Sequence, residues 1–387
     1  MRTVRSPQAR HWRSAAAALE LLRRRPDPTR RDLASELGLA SGPVSDLVGR
    51  LRAARLVAER PAAVRGPGRP TTRLHPHPDG PVVLAVDLRH GDWRVAACGV
   101  DGQPELLASG HHRGRNAAAV LSRLRRVIAR AADELAGRAL GVGVAVPGLT
   151  AGTRVLDASM LGWRDVELDV IAAGLPLIAA NDATMAAIAE ARVHPAAGAL
   201  LHLVLEVGIG GALVLDGRPA QGARGLAGEF GHLPLGDPDQ LCGCGARGCW
   251  GLAFDPRRLA SRLGQPEPAD PRAWLRWILE SSQPAAGAPR LREQLAADFA
   301  RGTAGLINAF DPEMVTLGGL AGPLRDAAPD AFQHAFEAGL MSVHRRRMPE
   351  IVVGRAGEDA VLVGVALAAF DRFLDASQLA LWASRAA

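Results

Sequence analysis

Apolar residues along the chain follow two rhythms, and the change between them divides it. Residues 14 to 25 carry apolar positions at helical spacing and end in a triple arginine, after which Pro26-Asp-Pro-Thr breaks the run. Thr29, with Asp32 three positions on, makes a capping box that predicts a short helix from Arg30 to Leu37. Gly38-Leu-Ala supplies a turn, and Ser41 is placed to cap the next helix, in which Val44, Leu47, Val48 and Leu51 share one face. Two strand-like pieces follow, Leu56 to Glu59 and Thr71 to Leu74, separated by Arg65-Gly-Pro-Gly-Arg-Pro-Thr. Short helix, glycine turn, second helix and a basic hairpin make the pattern of a winged helix-turn-helix.

From Pro81 onward the rhythm becomes that of alternating strands and helices, which predicts an α/β architecture. Val82 to Leu88 and Trp93 to Val100 read as adjacent strands, Ala117 to Leu135 as a helix, and Leu140 to Val146 as a buried strand ending at Pro147-Gly148. Another strand, Leu177 to Ala180, delivers Asn181-Asp182 to the start of a helix, Ala183 to Ala191. Chemistry in open α/β sheets gathers at such strand ends, so Asp182 is either a general base or a cap of the following helix. Ala199 to Gly217 holds two strand-like stretches around Gly208-Ile-Gly-Gly. Expected domains are residues 1–79 for the winged helix, 80–190 for a first α/β lobe to which a helix over 360–387 returns, and 191–359 for a second lobe.

Charge sharpens that division. Residues 1–80 hold 16 Arg against 7 Asp and Glu, and the remaining residues 30 against 33. A basic module joined to a slightly acidic one suits a polyanion partner for the first, here double-stranded DNA. The recognition helix would run from about Ser41 to Arg52, with Ser41, Ser45 and Arg50 as candidate contacts and Arg65 and Arg69 reaching from the wing. The competing reading is a helical dimerisation bundle with solvated arginines. Asp46, also on the recognition helix, would repel phosphate but could accept from a cytosine amino group. No apolar run reaches the roughly 18 residues of a membrane span and no secretory signal is expected, so the expected location is cytoplasmic.

Of four cysteines, Cys98 sits alone in an apolar run and is expected in the core, whereas Cys242, Cys244 and Cys249 fall within eight residues. His232 precedes them by ten positions, and one imidazole with three thiolates satisfies a closed, structural zinc site. The alternative is three reduced cysteines in a glycine-rich turn.

Together these motifs resemble the ROK family of repressors, open reading frames and kinases, over nearly the whole chain. The resemblance is carried by Gly68-Arg-Pro70 after the winged helix, Pro147-Gly148, Leu161-Gly-Trp163, Asn181-Asp182, Ala227-Gly-Glu-Phe-Gly-His232, Cys242-Gly-Cys-Gly-Ala-Arg-Gly-Cys249 and Asp311-Pro-Glu-Met-Val-Thr-Leu-Gly-Gly319. It implies an actin-like, ribonuclease H-like fold of two ATPase-type lobes with a sugar-binding cleft. It also implies zinc on His232, Cys242, Cys244 and Cys249, and sugar contacts from Asn181, Asp182, Glu229 and His232, with Asp182 at the position of the kinase base. Three departures separate this chain from the kinase branch. The first phosphate loop, Asp-Leu-Gly-Gly-Thr in kinases, is Asp87-Leu-Arg-His-Gly91 here, and the second, Thr-x-Gly-Thr-Gly, is Val204-Leu-Glu-Val-Gly208. Bulky Arg89 and His90 and an acidic Glu206 argue against ATP use, because phosphoryl transfer depends on such loops for positioning and charge stabilisation. The third is Gly251 in place of a sugar-binding glutamate, beside a Trp250 that either stacks on a pyranose or fills the gap. The sequence thus points to a DNA-binding regulator with a sugar or sugar-phosphate effector, acting as a homodimer or dimer of dimers, with Asp182 a vestigial base. Its rivals are a sugar kinase fused to a DNA-binding domain and an effector-blind regulator.

Overall fold

The computed structural model describes residues 7–25, 27–61, 72–112, 116–282 and 286–386. Its first helix, α1 (Pro7–Arg24), starts seven residues before the expected one and leads into α2 (Arg30–Leu37) and α3 (Ser41–Ala53). The capping box forms as expected, with the Thr29 amide donating to Asp32 Oδ2 at 2.8 Å and the Asp32 amide donating to Thr29 Oγ1 at 3.2 Å. Gly38 closes α2 at φ 61°, a left-handed conformation that glycine adopts without strain. Strands β1 (Val57–Pro61) and β2 (Thr72–Pro76) pair antiparallel, each lying one or two residues later than expected.

A five-stranded sheet follows from β3 (Val82–Leu88), β4 (Asp92–Cys98) and β5 (Pro104–His111), then, after α4 (Ala117–Glu134), β6 (Ala139–Val146). The small antiparallel sheet of β7 (Leu149–Ala151), β8 (Arg154–Ala158) and β9 (Trp163–Glu167) precedes the sheet's last strand, β10 (Leu177–Asn181), and helix α5 (Asp182–Val193). The order is β10-β6-β3-β4-β5, antiparallel on the β4 and β5 side and parallel on the other. Every residue of β3 is buried, so its two faces must both be apolar, as its Val-Val-Leu-Ala-Val run dictates.

A second compact unit, His194–Gly357, repeats that arrangement. It contains β11 (Ala199–Leu205), β12 (Ile209–Leu215) and β13 (Arg218–Pro219), then α6 (Pro256–Arg262), α7 (Pro271–Glu280) and α8 (Ala288–Phe310). It ends with β14 (Met314–Gly319), α9 (Ala321–Ala327), α10 (Pro329–Gly339), α11 (Ser342–Arg346) and β15 (Glu350–Val353). The strand order β13-β12-β11-β14-β15 matches the first sheet position for position, with β11 in the place of β3. This repeated sheet is the actin-like, ATPase-type fold.

From Glu358 the chain belongs again to the first unit. The single helix expected over 360–387 is two, α12 (Ala360–Phe373) and α13 (Ala376–Ala386). Asp375 makes the break, its Oδ1 accepting from the amides of Ser377 and Gln378 at 2.8 and 2.9 Å. Helix α12 packs on α5, where a side chain at Gly364 would meet the Met185 carbonyl oxygen at 1.8 Å. Helix α13 runs on to α1, and Trp382 Nε1 donates to the Ala54 carbonyl at 2.8 Å. One continuous apolar cluster therefore joins Leu19, Leu47 and Leu51 of the winged helix to Val83 of the sheet and Phe370 and Leu379 of these helices. Cys98 lies inside it, as expected, and burial pushes its thiol upward. No helix among the described residues is long and apolar enough to cross a membrane.

Candidate functional site

The exposed face of α3 is set by what it buries. Val44, Leu47, Val48 and Leu51 are all at most 1% exposed, which turns Ser41, Ser45, Asp46 and Arg50 outward. At about 100° per residue, Ser45 and Arg50 stand about 140° apart, on opposite edges of that face. Ser41 is not the cap expected of it: Ala40 occupies the N-cap position and makes no side-chain bond, so Ser41 opens the helix. Arg65 and Arg69 lie outside the described residues.

Glu59, which sequence reasoning did not single out, ties this module together. Its carboxylate accepts two bonds from Arg30 at 2.8 and 2.7 Å, one from Arg52 at 3.3 Å and one from Thr72 Oγ1 at 2.8 Å. Arg30 also donates to Ser45 Oγ at 3.1 Å. One acidic side chain thus links α2, α3 and both hairpin strands, and these bonds hold Glu59 down to about 2, the largest contribution being the Arg30 hydrogen bonds. An acidic residue preceded by arginines at no fixed spacing carries no sequence signal.

In the second unit His232 lies in a single 3-10 turn, Phe230–His232, and Cys249 directly precedes another, Trp250–Phe254. Between them the loop doubles back, with the Cys242 amide donating to the Ala246 carbonyl at 2.8 Å and Gly245 at φ 92° making the reversal. The ligand atoms of His232, Cys242, Cys244 and Cys249 all fall within 4.8 Å of one another. Cys244 Sγ is 3.7 Å from Cys249 Sγ, and Cys242 Sγ is 3.7 Å from His232 Nδ1. Thiolates about 2.3 Å from a tetrahedral zinc stand about 3.8 Å apart, a spacing these two pairs already have, so the donor set suits such an ion. Without a cation, burial and the neighbouring thiols push Cys249 up to about 12. The other imidazole nitrogen, Nε2, is 3.9 Å from Glu229 Oε2, where a carboxylate can orient the ring.

Asn181 ends β10 and Asp182 begins α5. Asn181 Oδ1 accepts from the Thr184 amide at 3.1 Å and its Nδ2 donates to the Gly148 carbonyl at 3.3 Å, so Asn181 is the residue that caps. Asp182 Oδ1 accepts from the adjacent Ala183 amide at 2.8 Å. Both are half-buried. Asn181 and Asp182 belong to the first unit, Glu229 and His232 to the second.

The region of the first phosphate loop is occupied by an ion-pair network. Asp87, 1% exposed at the end of β3, accepts from Arg89 Nε at 2.7 Å and Arg94 Nη2 at 3.4 Å, and Arg94 continues to Asp359 at 2.7 Å. Burial pushes the Asp87 carboxyl upward against the pull of both guanidiniums. In the second loop Glu206 is paired with Arg272, whose Nη2 lies 3.0 Å from Oε1. Trp250 resolves the choice posed for it: it is 1% exposed, stacks on Phe299 at 5.6 Å and donates to the Asp298 carbonyl at 3.3 Å. It is a core residue, closed to any sugar face. A side chain at Gly251 would meet the Gly231 carbonyl at 3.2 Å.

The model of the ROK family matches residues 84–372. A glucokinase from Streptomyces coelicolor is 27% identical over 74% of this chain and 96% of its own length. A xylose repressor from Caldicellulosiruptor bescii is 30% identical over 47% of this chain and half of its own. Among solved structures, a ROK family transcriptional regulator, a homologue of the E. coli Mlc protein, is 23% identical with a TM-score of 0.72 over 98% of this chain and 99% of that one, a likeness in fold. A ROK hexokinase from Thermus thermophilus, 28% identical, covers 75% of this chain and 98% of its own with a TM-score of 0.57.

Proposed function

The chain belongs to the ROK family, and from that premise we propose that it is an operator-binding transcriptional repressor which responds to a sugar or sugar-derived effector and does not turn over ATP. The observation that carries the reading is the α2, α3 and hairpin module, whose helix α3 turns Ser41, Ser45 and Arg50 outward from a fully apolar underside. Family resemblance in fold to a regulator over nearly the full length supports it. In this reading the α3 side chains meet base edges and Arg65 and Arg69 meet phosphates, in a homodimer whose two modules read half-sites about one helical turn apart.

Against kinase turnover stands the Asp87, Arg89 and Arg94 network. A phosphate loop must bring backbone amides against the phosphates, and here the Arg89 side chain folds back onto Asp87 instead. Asn181, Asp182, Glu229 and His232 are retained in this reading as hydrogen-bonding groups for sugar hydroxyls, with Asp182 accepting a bond where a kinase would take a proton. His232, Cys242, Cys244 and Cys249 hold a zinc ion that fixes the loop, and with it the orientation of His232 and Glu229. Effector binding then favours one arrangement of the regulator over another, a bias typically worth about 1 to 3 kcal/mol.

The second reading, a sugar kinase with a fused DNA-binding module, is favoured by Asp182 and by the glucokinase match over three quarters of the chain. Both are tested on the full-length protein. Selection of genomic fragments at physiological salt should enrich a few sites sharing an inverted repeat, and ATP hydrolysis over a panel of hexoses and amino sugars should stay at background. Uniform, salt-sensitive DNA binding would defeat the regulator reading, and sugar-dependent turnover lost in Asp182→Ala would establish the kinase.

A further inference from the structure

The winged helix does not seal its seat on α5 and the turn between β4 and β5. A cavity of about 290 Å³ remains there, walled by Leu22 of α1, Pro28 before α2 and Leu74 of β2 on one side, and by Asp101, Gln103 and Arg192 on the other. That size is at the low end of small-ligand cavities.

Arg192 is the unexplained group. It projects from the last turn of α5, is 9% exposed, and its Nη1 is buried with no hydrogen-bond partner among the described residues. The nearby charges do not resolve this. Asp101 acts on it through space and Arg23 opposes it, but Arg23 is itself paired with Asp371 at 3.1 Å, and Asp27, also at the cavity, with His75 at 3.0 Å. A buried guanidinium nitrogen left without an acceptor is costly, and an acceptor arriving from outside would relieve that cost. Asp101 already accepts from the Gln103 amide at 3.1 Å, yet a carboxylate has acceptor sites to spare.

We propose that this cavity binds a small hydroxylated monocarboxylate, its carboxylate pairing with Arg192 and a hydroxyl donating to Asp101. The hydroxyl is what reconciles an anionic ligand with an acidic wall, and the same wall disfavours phosphate, about half of which carries a second negative charge near neutral pH. Because Leu22, Pro28 and Leu74 belong to the winged helix, the ligand would touch both sides of its seat. Whatever change the ligand makes in operator affinity, the operator then makes by the same factor in the ligand's. This site shares no residue with Asn181, Asp182, Glu229 or His232, so it stands or falls apart from the sugar reading.

The probe is D-gluconate, titrated calorimetrically into the full-length protein, with inorganic phosphate as comparator. Saturable gluconate binding is expected, weakened about tenfold or more in both Arg192→Met and Arg192→Gln, as loss of a charge-assisted pair requires. Should the arginine variants fail to fold, Asp101→Ala removes the acceptor for the hydroxyl and is expected to erase the preference for gluconate over acetate, and an unchanged preference would overturn the assignment. The absence of saturable binding at millimolar gluconate, equal binding by the variants, or phosphate binding in place of gluconate would overturn the assignment.

Discussion

Arg89 shows how one side chain can satisfy a buried carboxylate two residues away. Where glycine would leave backbone amides open, a guanidinium reaches back to the carboxylate that ends β3 and satisfies it internally. The His232 and three-cysteine cluster makes the opposite use of local sequence: its cysteines are so closely spaced that a few glycine turns suffice to converge them. Metal analysis is expected to find one zinc per chain in the purified protein and none in Cys242→Ser, which should also lose the fixed orientation of His232. A metal-free wild type with unchanged melting behaviour would remove the ion from the account. These ligands were legible because they are close in sequence and chemically distinctive. Trp250 was not legible, since an aromatic beside a ligand site reads alike whether it faces a sugar or Phe299, and only long-range packing decides.

Among the elements, the winged-helix hairpin rests on Glu59. Glu59→Gln is expected to lower stability by about 1 to 2 kcal/mol at neutral pH, because Arg30 and Arg52 lose an ionised acceptor. The sign with pH follows from a folded value of about 2 against 4.5 for the free side chain. The carboxylate stabilises the fold above 4.5, and that contribution fades as pH falls toward 2. Thermal melts of the two proteins should therefore differ most near neutrality and converge in acid; a gap that persists at the acid end would mean Glu59 acts through packing alone. Helices with strong local signals, such as α2 with its capping box and α4 with its apolar face, could be read from the chain almost to the residue. The strand β5 could not, because Leu106 and Leu107 face solvent at the sheet edge and break the alternation that marks a strand. The interruption between α12 and α13 was hidden for a related reason: apolar spacing runs on through it, and only the Asp375 side chain turns the backbone.

At the scale of the first unit, the winged helix is held from two directions, by α5 beneath it and by α13 alongside α1. Trp382 is the anchor, 8% exposed and bonded to the carbonyl that follows α3. Trp382→Ala is expected to cost about 3 to 5 kcal/mol of stability in this unit and to weaken operator binding, although Trp382 is not among the proposed DNA contacts. Gel-shift titration beside a melting curve tests this, and an unchanged operator affinity would mean that α13 does not position the reading helix. The two partners in that bond are 328 residues apart along the chain. During synthesis α3 leaves the ribosome early, yet α13, which bonds the carbonyl after it, arrives only after both α/β halves have been made. On the proposed function, a nascent or prematurely terminated chain would carry every proposed operator contact and still lack the Trp382 bond, so competence to occupy a promoter is expected to come with translation through α13.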